Sequence, residues 1–401
     1  MSFSTGTAAV GGVVRARNAV LLSFFANGFG VATWASRIPS VRRTLDLGAG
    51  ELGLLLLTVS VGSLLALPST GGRVQRFGTV RVVLAGSMTL GVGLVVAAVG
   101  AGVLGSVPIT AVGLFLTGLG IGSWDVSMNV EGAEVERRLG RSVMPRFHAA
   151  FSLGTVAGGV IGALVTLAGI GVGWHVGLAG VVTTVLGTLS VRGFLPDGAH
   201  AAEPRQGEPA RSRHPLQAWL EPRTLAIGVL VLAMALTEGV ANDWLGVAVV
   251  DGYGAAAWLG SAAFATFVAA MTVGRVSGTV LLDEFGRLPV LWTSMAVAAA
   301  GVLLVVLGHF AVLVVVGILL WGLGASLGFP VGMSAASDDP VHAAARVSVV
   351  ATIGYTAFLG GPPLLGFLGS RFGVLHALLV VSVVLLPSAL AVPAARPVRP
   401  R

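Results

Sequence analysis

The nine residues VGLFLTGLG at 112–120 return as VGILLWGLG at 316–324, with six identities and no gap. Each copy lies inside a long apolar run. A duplicated apolar segment of this kind predicts a membrane protein built from two similar halves. Two-half membrane proteins of this size are commonly carriers, because a site between related halves can open to either side when one half rocks against the other.

The chain is apolar enough to cross a membrane many times. Of its 401 residues, 55% are hydrophobic and 10% are charged, and the mean hydropathy is +0.92. A spanning helix needs about 20 apolar residues, and twelve segments are long enough. They predict an all-α polytopic membrane protein, with 12 transmembrane helices in two six-helix halves. The predicted spans are 18–35, 51–70, 82–100, 107–131, 147–169, 174–195, 224–246, 255–282, 288–308, 310–334, 347–369 and 373–392.

Missing residue types exclude several chemistries. All 24 basic residues are arginine, and the chain has neither lysine nor cysteine. A P-loop requires its lysine, and Schiff-base catalysis requires a lysine amine. Thiolate chemistry and Cys-based metal sites are excluded in the same way. The seven histidines do not cluster in the sequence and no HExxH motif occurs, so we predict no metal, no cofactor and no enzymatic activity.

The net charge of +7 comes from arginines that fall mostly between the predicted spans. This placement favours a role in membrane topology over nucleic-acid binding, because positive residues collect on the cytoplasmic side. With the N-terminus inside, 20 arginines, Arg275 among them, fall in cytoplasmic tails and loops. The outer loops hold the other four, Arg37, Arg42, Arg43 and Arg371. Both termini are therefore predicted to be cytoplasmic, in a bacterial inner membrane.

One long polar stretch, 196–223, divides the spans six and six. Its Pro, Ala, Gly and charged residues are typical of a flexible linker. We therefore predict an N-terminal six-helix bundle at 1–195, a cytoplasmic linker at 196–223 and a C-terminal bundle at 224–401. Further matched positions keep the same order in both halves: Asn27-Gly28 with Glu238-Gly239, Phe77-Gly78 with Phe285-Gly286, and Gly154 with Gly354.

Two loops carry a related pattern, GGRVQRFGTVR at 71–81 and GTVLLDEFGR at 278–287. Both look like degenerate copies of the major facilitator loop motif. They depart from the motif at Gln75, Thr79 and Glu284. Together with twelve spans and a central linker, they make the whole chain resemble the major facilitator superfamily. The resemblance implies gating roles for three residues of these loops, Arg76, Asp283 and Arg287.

Five short segments of the chain resemble the YbjJ-type inner-membrane permeases, which are relatives of sugar–proton symporters such as fucose permease. These segments are WASRIPSVRRTLDLGAGELG at 34–53, WDVSMNVEGAEVE at 124–136, FHAAFSLG at 147–154, TEGVANDW at 237–244 and GYTAFLGGPPLLGF at 354–367. The resemblance assigns no substrate.

Few acids fall within the predicted spans, where ionisable groups are costly and usually functional. Asp125 and Glu238 lie deepest, and Asp243 lies nearer the outer end of its span. Withdrawal from water favours the neutral form of a carboxyl group, which lets it take up and release protons near physiological pH. Asp125 and Glu238 are therefore the predicted proton-coupling residues, and resemblance to the sugar–proton symporters implies an acid on the fourth helix.

Amides accompany both acids at a spacing of four residues. Asn129 follows Asp125 and Asn242 follows Glu238, which places each amide and acid on one face of an α-helix. An acid and an amide facing a cavity can bind a hydroxylated solute, although either pair can instead lock helices together. Other candidate solute contacts are Asn27, Trp124 for stacking on a sugar, Asp243 and Tyr355, with core packing as the alternative for each.

These features predict a carrier of a small polar, sugar-like solute, coupled to protons and working as a monomer. A proton-driven exporter is the first alternative. It is weakened because the fifth span has GTVAGGVIG at 154–162, with glycine where exporters of the superfamily often have proline. A membrane sensor or an embedded enzyme is a weaker alternative, because neither a signalling domain nor a catalytic constellation emerges.

We expect Arg37 to cap a helix end or pair with an acid rather than meet an anionic solute.

Overall fold

The computed structural model describes residues 4–140, 143–196, 215–339 and 342–397. Within these ranges, twelve helices are long and apolar enough to cross a membrane. The all-α class and the number of spans are therefore as predicted. A helical span satisfies all its backbone hydrogen bonds internally, which is what a lipid environment without water requires.

The chain divides into two compact units. Unit 1 comprises Met1–Leu47 and Leu54–Pro204, and unit 2 comprises Gly48–Gly53 and Arg205–Arg401. The first six helices are α1 Ser4–Thr44, α2 Ala49–Phe77, α3 Thr79–Val99, α4 Val107–Leu139, α5 Met144–Leu167 and α6 Val172–Val191. A π-helical turn at Gly100–Leu104 extends α3.

A 3-10 turn at Pro215–Leu220 precedes the long helices of unit 2. These helices are α7 Pro222–Tyr253, α8 Ala257–Phe285, α9 Arg287–Leu307, α10 Ala311–Ala336, α11 Ala343–Phe372 and α12 Val374–Ala395. Three of them depart from regular α-helix. A π-helical turn, Ala241–Leu245, lies inside α7, and α10 is interrupted between Ala325 and Gly328. The last helix ends in a 3-10 segment, Ala389–Ala395.

The duplicated segments hold neighbouring helices close in each unit. Gly120 of α4 lies against α3, where an added methyl group would collide with the backbone nitrogen of Leu90. Its counterpart Gly324 of α10 lies against α9 and would collide in the same way with the nitrogen of Ala298. Small residues permit this close approach of helices in lipid.

A second pair of glycines in the same segments faces a different neighbour. A methyl group on Gly118 would meet the carbonyl oxygen of Val59 in α2, and one on Gly322 would meet the carbonyl oxygen of Phe267 in α8. Each repeated segment thus packs on two helices at once through glycines at matching positions. The repeat in the sequence therefore corresponds to a repeat in helix packing.

The two loop copies also share their turn. Gly78, between α2 and α3, has φ 82° and ψ 162°, and Gly286, between α8 and α9, has φ 77° and ψ 171°. Residues with a side chain strongly disfavour this conformation. The glycine is therefore the part of the loop motif that both copies need, even where their charged positions differ.

The first helix is longer than predicted and changes the position of Arg37. It continues past 18–35 to Thr44, so Arg37 lies inside a helix rather than in an outer loop. Its buried guanidinium donates from Nη1 to Thr166 Oγ1 at 2.6 Å and from Nη2 to the Ile170 carbonyl at 2.8 Å. These contacts tie α1 to the carboxyl end of α5 and do not cap the end of its own helix.

Candidate functional site

In unit 1, Asp125 and Asn129 share one face of α4, as their spacing predicts. Asn129 Nδ2 donates to the Asp125 backbone carbonyl at 2.8 Å and approaches Asp125 Oδ1 at 3.4 Å. Both side chains are half-buried. Among the described residues, no arginine or histidine lies within ion-pair distance of the Asp125 carboxylate. The group therefore stands inside a spanning helix without a cationic partner.

Trp124 differs from its predicted role. Its side chain is fully buried, and its indole Nε1 donates to Ser23 Oγ of α1 at 2.8 Å. The ring also packs against Gly187 of α6, and the backbone and Cβ of Trp124 lie against Gly86 of α3. Stacking on a sugar needs an exposed ring face, so these contacts assign Trp124 a packing role among four helices instead.

Asn27 is a buried amide in α1, one helical turn after Ser23. It is 1% exposed, and neither its Nδ2 nor its Oδ1 has a hydrogen-bond partner in the described part of the chain. Buried polar side chains usually find partners in protein or water. An amide left unpaired inside a helix bundle is a feature that needs a polar ligand or ordered water to satisfy it.

In unit 2, Glu238 of α7 forms an ion pair that its sequence does not reveal. Arg275 Nη2 donates to Glu238 Oε1 at 2.9 Å and to Oε2 at 3.0 Å. Arg275 lies inside α8, in agreement with the predicted span 255–282, so counting it among the arginines of the cytoplasmic loops is wrong. Sequence reasoning missed the pair because hydropathy does not show which side chains of two helices face each other.

The π-helical turn in α7 contains Asn242, Asp243 and Trp244. Such turns are rare and frequently mark functional sites. The turn begins three residues after Glu238, so the regular α-helical spacing assumed for Glu238 and Asn242 does not hold between them. No hydrogen bond joins these two side chains, in contrast to Asp125 and Asn129. Asn242 and Asp243 are half-buried, and neither side chain has a hydrogen bond within the described residues.

Tyr355 belongs to an aromatic cluster within unit 2. Its ring centroid lies 6.3 Å from that of Phe329 in α10 and 6.4 Å from that of Phe358 in α11. The side chain is half-buried. The ring therefore packs as the core alternative predicts, and its predicted contact with solute stays a prediction.

The three residues with predicted gating roles have different surroundings. Arg76 is exposed, with its guanidinium carbon 5.2 Å from the centroid of the Phe77 ring. Asp283 is exposed and makes no ion pair within the described ranges. Arg287 donates from Nη1 to Asp338 Oδ1 at 2.6 Å. Asp338 is thus a partner that the loop motif by itself does not supply.

A match to known proteins identifies the family. Residues 20–360 match the family model described as Major Facilitator Superfamily. The chain belongs to this superfamily. It is therefore a multi-pass membrane transporter of a small molecule, and the family is not enzymatic.

Individual members of the superfamily align over nearly the whole chain. An uncharacterized MFS-type transporter of Yersinia pestis is 32% identical over 368 residues, which cover 91% of this chain and 92% of that protein. The uncharacterized transporter y4wD of Sinorhizobium fredii is 32% identical over 351 residues, covering 87% and 90%. Among solved structures, a mutant of the nucleoside transporter NupG has a TM-score of 0.78 at 12% identity, covering 96% of this chain and all of that one.

Proposed function

We propose that this superfamily member is a proton-coupled carrier that moves a small polar, sugar-like solute by alternating access of the bundles at 1–195 and 224–401. The observation that carries the proposal is the ion pair between Glu238 and Arg275. Charged side chains inside spanning segments are expensive and are kept mainly for function. A proton that reaches Glu238 removes its charge and breaks the pair, so protonation and a change in helix contacts are linked at one site.

Asp125 is the second proposed proton-coupling residue. Its carboxylate lies in α4 beside Asn129 and has no cationic partner among the described residues. Without a fixed counter-charge, the carboxyl group is free to exchange its proton as its access to water changes. The unpaired amide of Asn27 and the polar side chains Asn129, Asn242 and Asp243 are the proposed contacts for hydroxyl groups of the solute.

A proteoliposome assay tests the coupling. Purified protein is reconstituted with a pH-sensitive dye inside the vesicles, and a screen of sugars, nucleosides and organic acids is applied with and without an inward proton gradient. We expect a transported solute to carry protons with it. Asp125→Asn should abolish gradient-driven accumulation but retain exchange of labelled for unlabelled solute, because exchange needs no net proton movement.

The matched control is Glu284→Gln, which neutralises an exposed carboxylate at the end of α8. It should accumulate solute as the unmodified protein does. Unchanged proton flux and accumulation in Asp125→Asn would remove Asp125 from the mechanism. Outward movement of solute against an inward proton gradient would instead establish the exporter alternative.

We propose that both termini face the cytoplasm of a bacterium and that the transporter works as a monomer. The arginine distribution supports this orientation, and it keeps its bias after Arg37 and Arg275 are removed from the loop residues. Reporter enzymes that are active only outside or only inside the cytoplasm, fused to either terminus, test the topology. The mass of the detergent-solubilised protein tests the monomer. The resemblance to YbjJ-type permeases supports the further proposal that the chain belongs to that branch of the superfamily.

A further inference from the structure

Arg275 has hydrogen-bonding capacity that the protein does not use. Only its Nη2 contacts Glu238, and its Nε and Nη1 make no hydrogen bond within the described residues. Its side chain remains 30% exposed, and that of Glu238 17%. An arginine–carboxylate pair of full strength uses two nitrogens in parallel. The guanidinium therefore holds Glu238 by one nitrogen and keeps its remaining donors available.

Arg275 does not lie on the exposed apolar side of α8. That side is marked by a stripe of exposed valines, Val273, Val276 and Val280. At about 100° per residue, Arg275 lies about 130° around the helix from the centre of this stripe. A guanidinium on the lipid side would have little to compensate it. The free donors of Arg275 therefore point to an aqueous, solute-accessible side of the helix.

Two polar side chains lie beyond Glu238, the partner of this arginine, on the same helix α7. Asn242 and Asp243 follow Glu238 by one turn, in the π-helical segment, and their side chains make no hydrogen bond within the described part of the protein. The ion pair of Glu238 and Arg275 is thus followed along α7 by one amide and one carboxyl group that make no hydrogen bond within the described residues. Such a set suits a solute with one negative charge and several hydroxyl groups.

We propose that Arg275 binds the carboxylate of the transported solute, and that Glu238 occupies the same place in the solute-free protein. The solute class is then a small hydroxylated monocarboxylic acid, such as a sugar acid, rather than a neutral sugar. This inference rests on the proposed proton-coupled function and deepens it. A proton moves onto the Glu238 carboxylate, its bonds to Arg275 Nη2 break, and the solute carboxylate forms bonds to the released guanidinium.

Charge balance favours an anionic solute over a neutral one. Before binding, Arg275 and Glu238 carry opposite charges that cancel. After binding, Glu238 is neutral and the solute carboxylate supplies the cancelling charge, so one proton and one anion enter together with no net charge at this pair. A neutral sugar would leave the guanidinium without a counter-charge when Glu238 is protonated, which is unfavourable away from bulk water.

The purified full-length protein tests the inference with matched probes. Binding of D-glucuronate and D-galacturonate is compared with binding of D-glucose and D-galactose by calorimetry and by thermal unfolding. Each acid differs from its neutral partner only in the oxidation state of one carbon. We expect the acids to bind at least tenfold more tightly than the neutral sugars.

Glu238→Gln gives the sharpest result, because the two interpretations predict opposite directions. If Glu238 competes with the solute for Arg275, its removal should strengthen binding of the acids at least tenfold at pH 7. If Glu238 is itself a ligand for solute hydroxyls, or only locks α7 to α8, the same change should weaken binding or leave it unchanged, and that would overturn the inference. Failure of both acids to bind Glu238→Gln would also overturn it.

Arginine variants complete the test. Arg275→Gln should lose binding of the acids, and the double variant Glu238→Gln with Arg275→Gln should lose it too while leaving no unpaired charge to disturb folding. The control is Arg223→Gln, since Arg223 is also 30% exposed and also ion-paired, with Asp338. It should bind the acids normally. Retained binding in the double variant would contradict the proposal.

The outcomes separate this inference from the proposed function. Tight binding and transport of an acid without proton movement would refute the coupling but keep the role of Arg275. Proton-coupled transport of a neutral sugar that Arg275→Gln still binds would refute the role of Arg275 but keep the proposed coupling.

Discussion

Glu131 Oε1 accepts a hydrogen bond from the backbone nitrogen of Leu195 at 2.7 Å, and so ties the last third of α4 to the chain that follows α6. Its other oxygen accepts from Thr79 Oγ1 at 2.6 Å, at the first residue of α3. Glu131 is fully buried. One carboxylate therefore holds three segments of unit 1 together, and we assign it a structural role rather than one in transport.

Glu131→Ala should destabilise the protein by about 3 kcal/mol, because it leaves two buried donors without their acceptor. The melting temperature in detergent measures the effect. Glu134→Ala is the control on the same helix. Its carboxylate pairs with Arg137 and Arg138 within one turn, a kind of surface pair worth about 0.5 kcal/mol. Equal losses in the two variants would contradict the role of Glu131.

The glycines of the repeated segments should tolerate no side chain. Gly120→Ala and Gly324→Ala each place a methyl group against the backbone of a neighbouring helix, and overpacking of this kind costs about 1–3 kcal/mol. We expect both variants to melt at lower temperatures by similar amounts. Gly360→Ala is the control, since nothing lies within 4 Å of a methyl group there. A decrease confined to one unit would show that the repeat does not have the same packing role in both.

The π-helical turn of α7 arises from one residue more than a regular helix would hold. Deleting Ala241, the first residue of the turn, should convert it to α-helix while the helix on either side keeps its packing. The protein should fold and insert, but transport should be lost because Asn242 and Asp243 are reoriented.

Deleting Ala233, in the regular part of the same helix, is the contrasting variant. It rotates one part of α7 by about 100° relative to the other, so it should fold poorly. For both deletions, size-exclusion profiles measure folding, and an assay with the solute found in the screen measures transport. If the Ala241 deletion transports normally, the π turn has no role in the site.

Acidification should weaken unit 2 through Glu221, which immediately precedes α7. Glu221 accepts from Arg346 Nε at 2.6 Å and from Thr224 Oγ1 at 2.8 Å. The hydrogen bond from Arg346 lowers the pKa of Glu221 below its usual 4.5, and burial opposes this only in part. A carboxyl group whose pKa is lower in the folded state stabilises the protein above its unfolded pKa, and this contribution is lost as the pH falls through the folded pKa.

Glu221→Gln should therefore be less stable than the unmodified protein at pH 7, by about 1 kcal/mol for a partly exposed pair, and the two should converge as the pH falls below the folded pKa of Glu221, which is lower than 4.5. Melting temperatures at pH 7 and at about pH 3 measure the difference. Glu284→Gln, at an exposed position, should match the unmodified protein at both values. A constant gap between Glu221→Gln and the unmodified protein across this range would disprove the role of the Glu221 charge.

Much of the candidate site could be located from sequence, but not how its parts are connected. The acids in spans, Asp125 and Glu238, stand out against an apolar background, and the spacing of Asp125 and Asn129 correctly placed them on one face. The same spacing failed for Glu238 and Asn242, since a π turn leaves no clear mark in a pattern of apolar residues. Trp124 lies beside an acid in sequence, yet its ring points into the core.

The sequence by itself determined the twelve spans, the duplication and the membership of the Major Facilitator Superfamily. Span length is a local property, set by the thickness of hydrocarbon that consecutive apolar residues must cross. The glycines of the repeat indicate which helix faces pack closely together. Only the tertiary structure decided that Glu238 meets Arg275, 37 residues away on the next helix. Hydropathy fixes neither the rotation of a helix about its axis nor its neighbours, because packing against other helices sets both.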